Sequence, residues 1–316
     1  MTTRTDGSPT TIANEVDLEL VRSIAAGIRR RVFDHVLAND GGYLSQACSA
    51  AELLGVLYGG GARLAPLDAP LPAAEFRGVP GPAGAPSGTG GVFHGPTGPD
   101  LDRLIISPAH YALVVYAALI EVGRLEESAL DRFNVDGSTV EMIGAEHSPG
   151  FETTTGSLSQ ALSTAGGIAL ARRMRGERGR TIVMMSDGEL QEGQTWEAFS
   201  ALVHHGLHTV RAVIDVNAQQ CDGPMDTVMR IEPIAERIRA FGLEVDEVDG
   251  HDVAALATAL TRDVAAPQVV LARTDPARGV PLLKERHPVL HYLRFTSPEE
   301  RDRYVAFRAE LAGEVR

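Results

Sequence analysis

The sequence predicts an α/β protein in which a parallel sheet carries helices on both faces. Short apolar or β-branched runs, typical of buried strands, alternate along the chain with longer segments of helical periodicity. Alternation of this kind is typical of parallel sheets. Polar residues directly follow two consecutive strand-like runs, and ligands bind at that edge of an open parallel sheet. The sequence contains no internal repeat.

The amino-terminal third begins with a polar, turn-rich segment, and residues 1–15 are expected to form a flexible tail. One domain is expected to span the remainder, 16–316. Apolar residues recur at helical spacing over 16–37, and a second helix is predicted over 50–58.

The composition changes sharply between residues 59 and 101, where prolines stand among many glycines and alanines and no periodicity survives. A loop of this length is either an unstructured insertion or a docking or lid element. The sequence leaves both alternatives open. His94 lies in this insertion and is expected to be a solvated loop histidine.

The remaining elements are predicted from the spacing of apolar residues and from the residues that end helices and strands. Gly123 is expected to end one helix as a C-cap. The small residues of another helix suggest close packing against a second helix or a partner chain. In chain order, the predicted elements are a strand at 104–107, helices at 110–122, 157–174 and 231–241, a strand at 244–248, a helix at 253–262 and a strand at 268–273.

The central stretch, residues 181–223, predicts a strand, a loop, a helix and a second strand. The strands are predicted at 181–185 and 210–216, and the helix at 195–205. Asp187 and Asn217 then fall just past the carboxyl ends of the two strands. Both side chains should therefore face a ligand at the edge of the sheet.

Carboxylate and amide oxygens are hard donors that suit Mg²⁺, which fills its coordination sphere with phosphate oxygens and water. Gly188 removes a side chain where a diphosphate would approach the backbone. A metal held in this way would clamp a diphosphate. The alternative is an ordinary crossover in which Asp187 and Asn217 only cap loops, and spacing alone does not decide between them.

Composition narrows the class of protein. The 316 residues carry a net charge of −13, which argues against a nucleic-acid partner. Two cysteines, Cys48 and Cys221, make no disulfide framework and fit a reducing compartment. The sequence shows no secretory signal and no apolar run long enough for a membrane span, so a cytoplasmic enzyme is expected. His204 and His208 are predicted to share a helix face without binding metal.

The segments SDGELQEGQTWEA (186–198) and DVNAQQCDG (215–223) closely resemble the thiamine diphosphate fingerprint of transketolases. Further segments resemble the same family in the same order. These segments are 42–58, 102–123, 149–162, 249–256 and 274–291.

The resemblance implies thiamine diphosphate as cofactor, with Mg²⁺, or Ca²⁺ in its place. The implied metal ligands are Asp187, Asn217 and the backbone carbonyl of Gln219. The implied cofactor-binding residues are Gly156, Ser157, Leu158, Asp187, Gly188, Glu189 and Asn217. The His-Asp pair at 251–252 is expected to hold a loop.

The resemblance also implies catalytic roles. His110 and His291 would handle protons near the cofactor, although His291 could instead be a surface histidine. Glu192 and Glu197 would reach a subunit boundary near the partner's cofactor glutamate. Their alternative role is an acidic first helical turn that the helix dipole favours.

The chain departs from the family pattern at several positions. Ser186 replaces a glycine, and Tyr43 replaces a histidine that contacts substrate oxygens. Pro108 and Ala109 replace a Lys-Gly pair, and Pro276 and Arg278 replace residues of a lysine-rich segment. Cofactor binding is expected to survive these changes, whereas pentose phosphates become doubtful substrates.

The resemblance covers only the diphosphate-binding module, so a split enzyme is expected, with an α2β2 assembly and a partner subunit that brings the pyrimidine-binding glutamate. The chain alone is expected to be inactive. The expected reaction moves a two-carbon ketol unit from a ketose phosphate to an acceptor, for which an acyl carrier protein's phosphopantetheine arm or a lipoyl arm is a candidate. The alternatives are the α subunit of a 2-oxoacid dehydrogenase and a non-catalytic binding subunit.

Overall fold

The structure is a computed structural model that describes residues 16–78 and 88–313. The predicted tail at 1–15 and the middle of the insertion lie outside these residues. The helices are α1 (Leu18–Ala38), α2 (Leu44–Val56), α3 (Ala112–Glu121), α4 (Gln160–Met174), α5 (Gly193–His204), α6 (Met225–Val228), α7 (Ile234–Ala240), α8 (Val253–Thr261) and α9 (Pro298–Gly313). The strands are β1 (Gly41–Gly42), β2 (Arg103–Ile106), β3 (Thr181–Ser186), β4 (Val210–Val216), β5 (Gln219–Gln220), β6 (Gly223–Pro224), β7 (Glu244–Asp249), β8 (Gln268–Arg273) and β9 (Leu293–Arg294).

The centre of the fold is a five-stranded parallel sheet in the order β2-β3-β4-β8-β7. The predicted α/β class and the strand–helix–strand unit of the central stretch are confirmed. In the register of β3 and β4, Ser186 pairs with Asp215. Asp187 and Asn217 therefore leave the sheet side by side.

Two apolar layers cover the sheet, because alternate strand residues point to opposite faces. Ile182 and Met184 of β3 pack with α1, α2, α3 and α8. Val183 and Met185 pack with α4, α5 and α7 on the other face. Gly166 of α4 lies against Leu202 of α5, and a Cβ atom at Gly166 would come within 3.0 Å of that side chain. The close packing predicted for α4 is thus a helix–helix contact.

Helix boundaries differ from prediction where polar residues are buried. α2 begins at Leu44 rather than residue 50, and its polar residues Ser45, Gln46 and Ser49 are buried and hydrogen-bonded. α4 begins at Gln160 rather than residue 157, because Ser159 has a left-handed φ of 73°.

Two histidine predictions are wrong. α5 ends at His204, so His208 lies beyond the helix and does not share a face with it. His94 is buried rather than solvated: its ring nitrogens lie 3.0 Å from the Tyr58 hydroxyl and 3.0 Å from Glu152. Arg103 also bonds Glu152, so this network ties the insertion to the first strand of the sheet.

Two short antiparallel pairs, β1–β9 and β5–β6, form separate two-stranded sheets. The first brings the segment around Tyr43 beside the segment around His291. The second holds the turn that follows Asn217. None of the described helices is both long and apolar enough to cross a membrane.

Candidate active site

A cavity of 290 Å³ opens at the carboxyl ends of β3 and β4. It brings together most of the residues predicted for the site. The predicted residues that line it are His110, Leu158, Asp187, Gly188, Glu192, Asn217, Gln219 and His291. The others, Tyr43, Gly156, Ser157, Glu189 and Glu197, are not among its lining residues.

Asp187 is 2% exposed and follows directly after β3. Its Oδ2 atom accepts a hydrogen bond of 2.7 Å from the backbone nitrogen of Ala218. Burial, followed by the nearby Asp215 carboxylate, raises the pKa of Asp187 well above its ordinary value. A buried carboxylate of this kind is costly unless a cation or hydrogen bonds compensate it.

Asn217 follows directly after β4, and a turn orients its side chain. The Oδ1 atom of Asn217 accepts a hydrogen bond of 2.9 Å from the Gln219 backbone nitrogen. Ala218 between them has a left-handed φ of 57°. This turn folds the chain back, so the Asn217 side chain and residue 219 lie on the same side of the cavity.

Asp215 holds several side chains of the site by hydrogen bonds, although it is not among the residues predicted from the sequence. It is fully buried near the end of β4 and accepts hydrogen bonds from Ser49 (2.6 Å), Tyr111 (2.7 Å) and Thr274 (2.5 Å). The Asn217 amide nitrogen donates to it over 3.2 Å. A charged residue inside the β-branched run 210–216 was the sequence signal that could have revealed it.

His110 and His291 both line the cavity and pack against each other, with ring centroids 4.9 Å apart. Burial and the neighbouring His291 lower the pKa of His110 to about 3. Burial also lowers the pKa of His291. The Gln46 amide nitrogen donates to the His291 carbonyl over 3.0 Å and lies 3.3 Å from its Nδ1 atom. Both imidazoles are therefore neutral at physiological pH.

Tyr43 lies behind this pair. Its ring centroid is 5.8 Å from that of His110 and 5.6 Å from that of His291. Tyr292 packs edge-on against the Tyr43 ring at 4.9 Å. Burial raises the pKa of the Tyr43 hydroxyl. The residue that departs from the family pattern thus forms the wall behind both histidines.

Glu189 is fully buried and accepts hydrogen bonds from the backbone nitrogens of Ser159 and Ser186, each 2.9 Å long. Ser107 also donates to it. Its carboxylate therefore joins the start of α4 to the ends of β2 and β3. Gly156 has a φ of 104°, a conformation that favours glycine.

Glu192 and Glu197 are both exposed, at the N-cap and within α5. Glu192 also lines the rim of the cavity. Outside the cavity, the His-Asp pair holds a loop as expected: His251 accepts a hydrogen bond of 2.8 Å from the Asp275 backbone nitrogen, and Asp252 caps α8.

Comparison with known proteins identifies the family. Residues 93–291 match the family model described as transketolase, thiamine diphosphate binding domain. A putative uncharacterized transketolase family protein of Sinorhizobium fredii is 35% identical over 280 residues, covering 86% of this chain and 90% of that protein. A 6-deoxy-6-sulfo-D-fructose transketolase subunit of a Clostridium species is 33% identical over 190 residues, covering 59% of this chain and 69% of that protein.

A transketolase structure from Pichia stipitis superposes with a TM-score of 0.66 at 22% identity and covers 92% of this chain. The alignment covers 44% of that transketolase. Human transketolase-like protein 2 is 30% identical to this chain, and that alignment covers 39% of its length. The fold and site define the class as a thiamine diphosphate-binding component of transketolase type. The chain belongs to the transketolase family. The predicted family, fold and reaction class are confirmed.

Proposed function

We propose that this chain is the diphosphate-binding subunit of a two-component transketolase that moves a two-carbon ketol unit from a ketose phosphate to an acceptor. One observation carries the proposal. Buried Asp187 and Asn217 end neighbouring strands at the cavity that two neutral histidines also line. We also propose a cytoplasmic location, because Cys48 and Cys221 are both free, as is usual in a reducing compartment.

The residues around Asp187 suit a divalent cation. Within residues 16–78 and 88–313, neither Asp187 nor Asp215 has a cationic partner, and the Gln219 Oε1 atom is buried without a hydrogen bond. A Cβ atom at Gly188 would approach only Gln220, at 3.7 Å, so the space above this residue is free. Mg²⁺, or Ca²⁺, would take Asp187, Asn217 and the Gln219 carbonyl as ligands and complete its shell with diphosphate oxygens.

The histidines define what this chain contributes to the chemistry. When bound, thiamine diphosphate supplies an electron sink for cleavage of the carbon–carbon bond beside a ketose carbonyl. Neutral His110 and His291 can each accept a hydrogen bond from a substrate hydroxyl or donate one to a carbonyl, and so orient the groups between which protons move. Gln46 fixes the orientation of His291 through its two contacts. Over the whole reaction, the donor loses a hydroxyl proton, its carbon–carbon bond breaks and an aldehyde leaves. A new carbon–carbon bond joins the two-carbon ketol unit to the acceptor aldehyde, whose oxygen takes up a proton.

A second subunit would complete the site. We infer that it brings the glutamate that activates the cofactor's pyrimidine ring, in an α2β2 assembly. Exposed Glu192 at the cavity rim and Glu197 on α5 are suited to this boundary. The names of two relatives support the proposal, since each describes one subunit of a transketolase. The first is named for 6-deoxy-6-sulfo-D-fructose, and the second, from Actinobacillus succinogenes, for apulose 4-phosphate.

The acceptor is the least constrained part of the reaction. Those relatives are named for a sulfonated hexose and for apulose 4-phosphate, a branched-chain ketose, rather than for the straight-chain pentose phosphates, which is consistent with Tyr43 replacing the family histidine. The insertion at 59–101 bridges Leu71 to Leu125 and Glu75 to Ser138, so its described part is anchored to the domain. We propose that it helps to dock the acceptor, with a carrier-protein arm as one candidate.

Reconstitution tests this function. The chain would be combined with a pyrimidine-binding subunit, thiamine diphosphate and Mg²⁺, and ketol transfer from a ketose phosphate would be measured. We expect transfer by the pair and none by either chain on its own. Decarboxylation of pyruvate without ketol transfer would assign the chain to the 2-oxoacid dehydrogenases. Calorimetry that shows no cofactor binding by the pair would indicate a non-catalytic subunit.

A further inference from the structure

Gln46 is a buried amide in the first turn of α2 that contacts the segment around His291. It is 3% exposed and lines the active-site cavity. Its Nε2 atom lies 3.0 Å from the His291 carbonyl oxygen and 3.3 Å from Nδ1 of the same residue. Its Oε1 atom accepts a hydrogen bond of 2.9 Å from the Ser45 hydroxyl. Both ends of the amide are therefore engaged within the site.

The contact with the His291 carbonyl fixes which end of the Gln46 amide faces the imidazole. A backbone carbonyl can only accept a hydrogen bond, so the atom 3.0 Å from it must be the amide nitrogen. The reversed amide would set two oxygens against each other and lose this bond. The same amide nitrogen lies 3.3 Å from Nδ1 of the ring. Gln46 therefore presents a hydrogen-bond donor to Nδ1 of His291.

This donor determines where the imidazole of His291 carries its proton. A neutral imidazole is protonated on one ring nitrogen, and the hydrogen bond at the other nitrogen sets which one it is. Because Nδ1 faces a donor, it acts as an acceptor, and the proton lies on Nε2. A proton on Nδ1 would set two donors against each other. Gln46 thus disfavours both the other tautomer and the imidazolium ion of His291.

The titratable groups near His291 leave its imidazole neutral. Tyr43 and His110 pack against the ring, with centroids 5.6 Å and 4.9 Å from it. Burial lowers the pKa of His291, and the opposing effect of the Asp222 carboxylate, in the turn between β5 and β6, is smaller. The remaining titratable groups that line the cavity are Tyr111, Asp187, Glu192 and Cys221.

We propose that Gln46 is a positioning residue that holds His291 as its Nε2–H tautomer, so that His291 serves the reaction as a hydrogen-bond donor to a substrate oxygen. His110 is then the imidazole of the pair that accepts from a substrate hydroxyl. A fixed donor stabilises an oxygen that gains negative charge, as the acceptor aldehyde does when the new carbon–carbon bond forms. This role in the reaction rests on the proposed function, whereas the tautomer depends on this chain alone.

Nitrogen NMR of the full chain, with isotopically labelled histidine, measures the tautomer. A protonated ring nitrogen has a pyrrole-type chemical shift, and an unprotonated one has a pyridine-type shift. His291→Asn identifies the His291 signals by their loss. We expect a pyridine-type Nδ1 and a pyrrole-type Nε2 for His291 at neutral pH. A pyrrole-type Nδ1, or averaged shifts at both nitrogens, would overturn the inference.

Two variants test whether Gln46 sets this tautomer. Gln46→Met keeps the length of the side chain without a donor, so the His291 shifts should become averaged. Gln46→Glu places an acceptor against Nδ1 and should draw the proton to it, so that His291 titrates at a higher pH than in the wild type. Gln194→Glu, at an exposed amide of α5, is the control and should leave the His291 signals unchanged.

If both Gln46 variants melt like the wild type and keep its His291 signals, Gln46 does not set the tautomer. The wild-type spectrum requires no change at residue 46, so it decides the tautomer even where a Gln46 variant fails to fold.

The reconstituted complex tests the role in the reaction separately. Gln46→Met is expected to lower kcat/KM for ketol transfer by about 10-fold, which is the worth of about one hydrogen bond. Undiminished transfer by this variant, with averaged His291 shifts, would overturn the role of the tautomer in the reaction. The expected wild-type tautomer without any ketol transfer by the wild-type complex would refute the proposed function instead.

Discussion

The Asp187 carboxylate and the Ala218 backbone nitrogen are joined by a hydrogen bond of 2.7 Å that links the ends of two neighbouring strands. Asp187 follows β3, and Ala218 lies in the turn after β4. The two ligand-bearing loops are therefore coupled to each other by the chain itself. Such preorganisation lowers the cost of placing oxygen donors around a cation.

The first prediction concerns how far the buried charge of Asp187 destabilises the folded chain. Because its folded pKa is raised, the folded state holds a proton that the unfolded state releases, and stability falls as pH rises from the ordinary value through the folded pKa. Asp187→Asn can still accept the Ala218 bond but carries no charge. Without metal at pH 7–8, we expect it to be more stable than the wild type by about 1–3 kcal/mol in urea unfolding.

With thiamine diphosphate, Mg²⁺ and the partner present, the order should reverse, because only the wild type gains stability from the ligand. Asp226→Asn removes an exposed carboxylate of α6 and should change neither measurement. A metal-free Asp187→Asn chain that is less stable than the wild type would show that the charge is compensated within the chain.

The second prediction concerns the support that Asp215 gives to Asn217. Asp215→Asn replaces a carboxylate that accepts from Ser49, Tyr111 and Thr274 with an amide that can accept at only one atom. Asn217 should then lose its fixed orientation. We expect the apparent Mg²⁺ affinity of the reconstituted enzyme to fall by about 10–100-fold. Unchanged Mg²⁺ affinity, measured by titration at saturating cofactor, would be incompatible with this role.

The third prediction concerns pH. The folded pKa of His110 is about 3, so between this value and its ordinary value the unfolded chain binds a proton that the folded chain does not. Its neutral burial therefore contributes stability that is present above the unfolded pKa and is lost as pH falls through this window. In His110→Asn, the loss of stability between pH 6.5 and 4 should be smaller.

The measurement is urea unfolding at several pH values. His204→Asn, at an exposed histidine that ends α5, is the matched control and should follow the wild type. Parallel pH curves for the wild type and His110→Asn would contradict the buried, neutral state of His110.

The fourth prediction separates folding from assembly. Glu192→Gln and Glu197→Gln alter exposed side chains, so the melting temperature of the isolated chain should stay the same. The rate of ketol transfer with the partner should fall by about 10-fold or more. Removing one charge at an interface leaves the opposite charge without its partner and weakens association of the subunits. Glu299→Gln, exposed in the first turn of α9, should leave transfer unchanged. Full transfer by both α5 variants would place the partner elsewhere.

The sheet and its ligand edge could be predicted because they depend on local patterns. Apolar runs define β3 and β4, and Asp187 and Asn217 directly follow them. What could not be predicted depends on contacts between distant segments. The first turns of α2 look polar, yet Ser49 is buried because it bonds Asp215, which lies 166 residues further along the chain.

The same limit explains His94. A lone histidine in a Pro- and Gly-rich segment is expected in solvent, and only the fold brings Tyr58 and Glu152 to its two ring nitrogens. The sequence shows Tyr43 as a departure from the family pattern, but its contacts with His291 and Tyr292 follow from the β1–β9 pairing. Strands this short show no periodic pattern of apolar residues from which they could be predicted.

The most direct measurement is a crystal structure of the assembled enzyme with thiamine diphosphate and Mn²⁺ in place of Mg²⁺, using anomalous scattering to locate the ion. We predict one ion bound by a carboxylate oxygen of Asp187, Oδ1 of Asn217 and the carbonyl of Gln219, each at about 2.0–2.3 Å. The diphosphate should complete its coordination. An ion bound by other residues, or a diphosphate held without these three, would contradict the account.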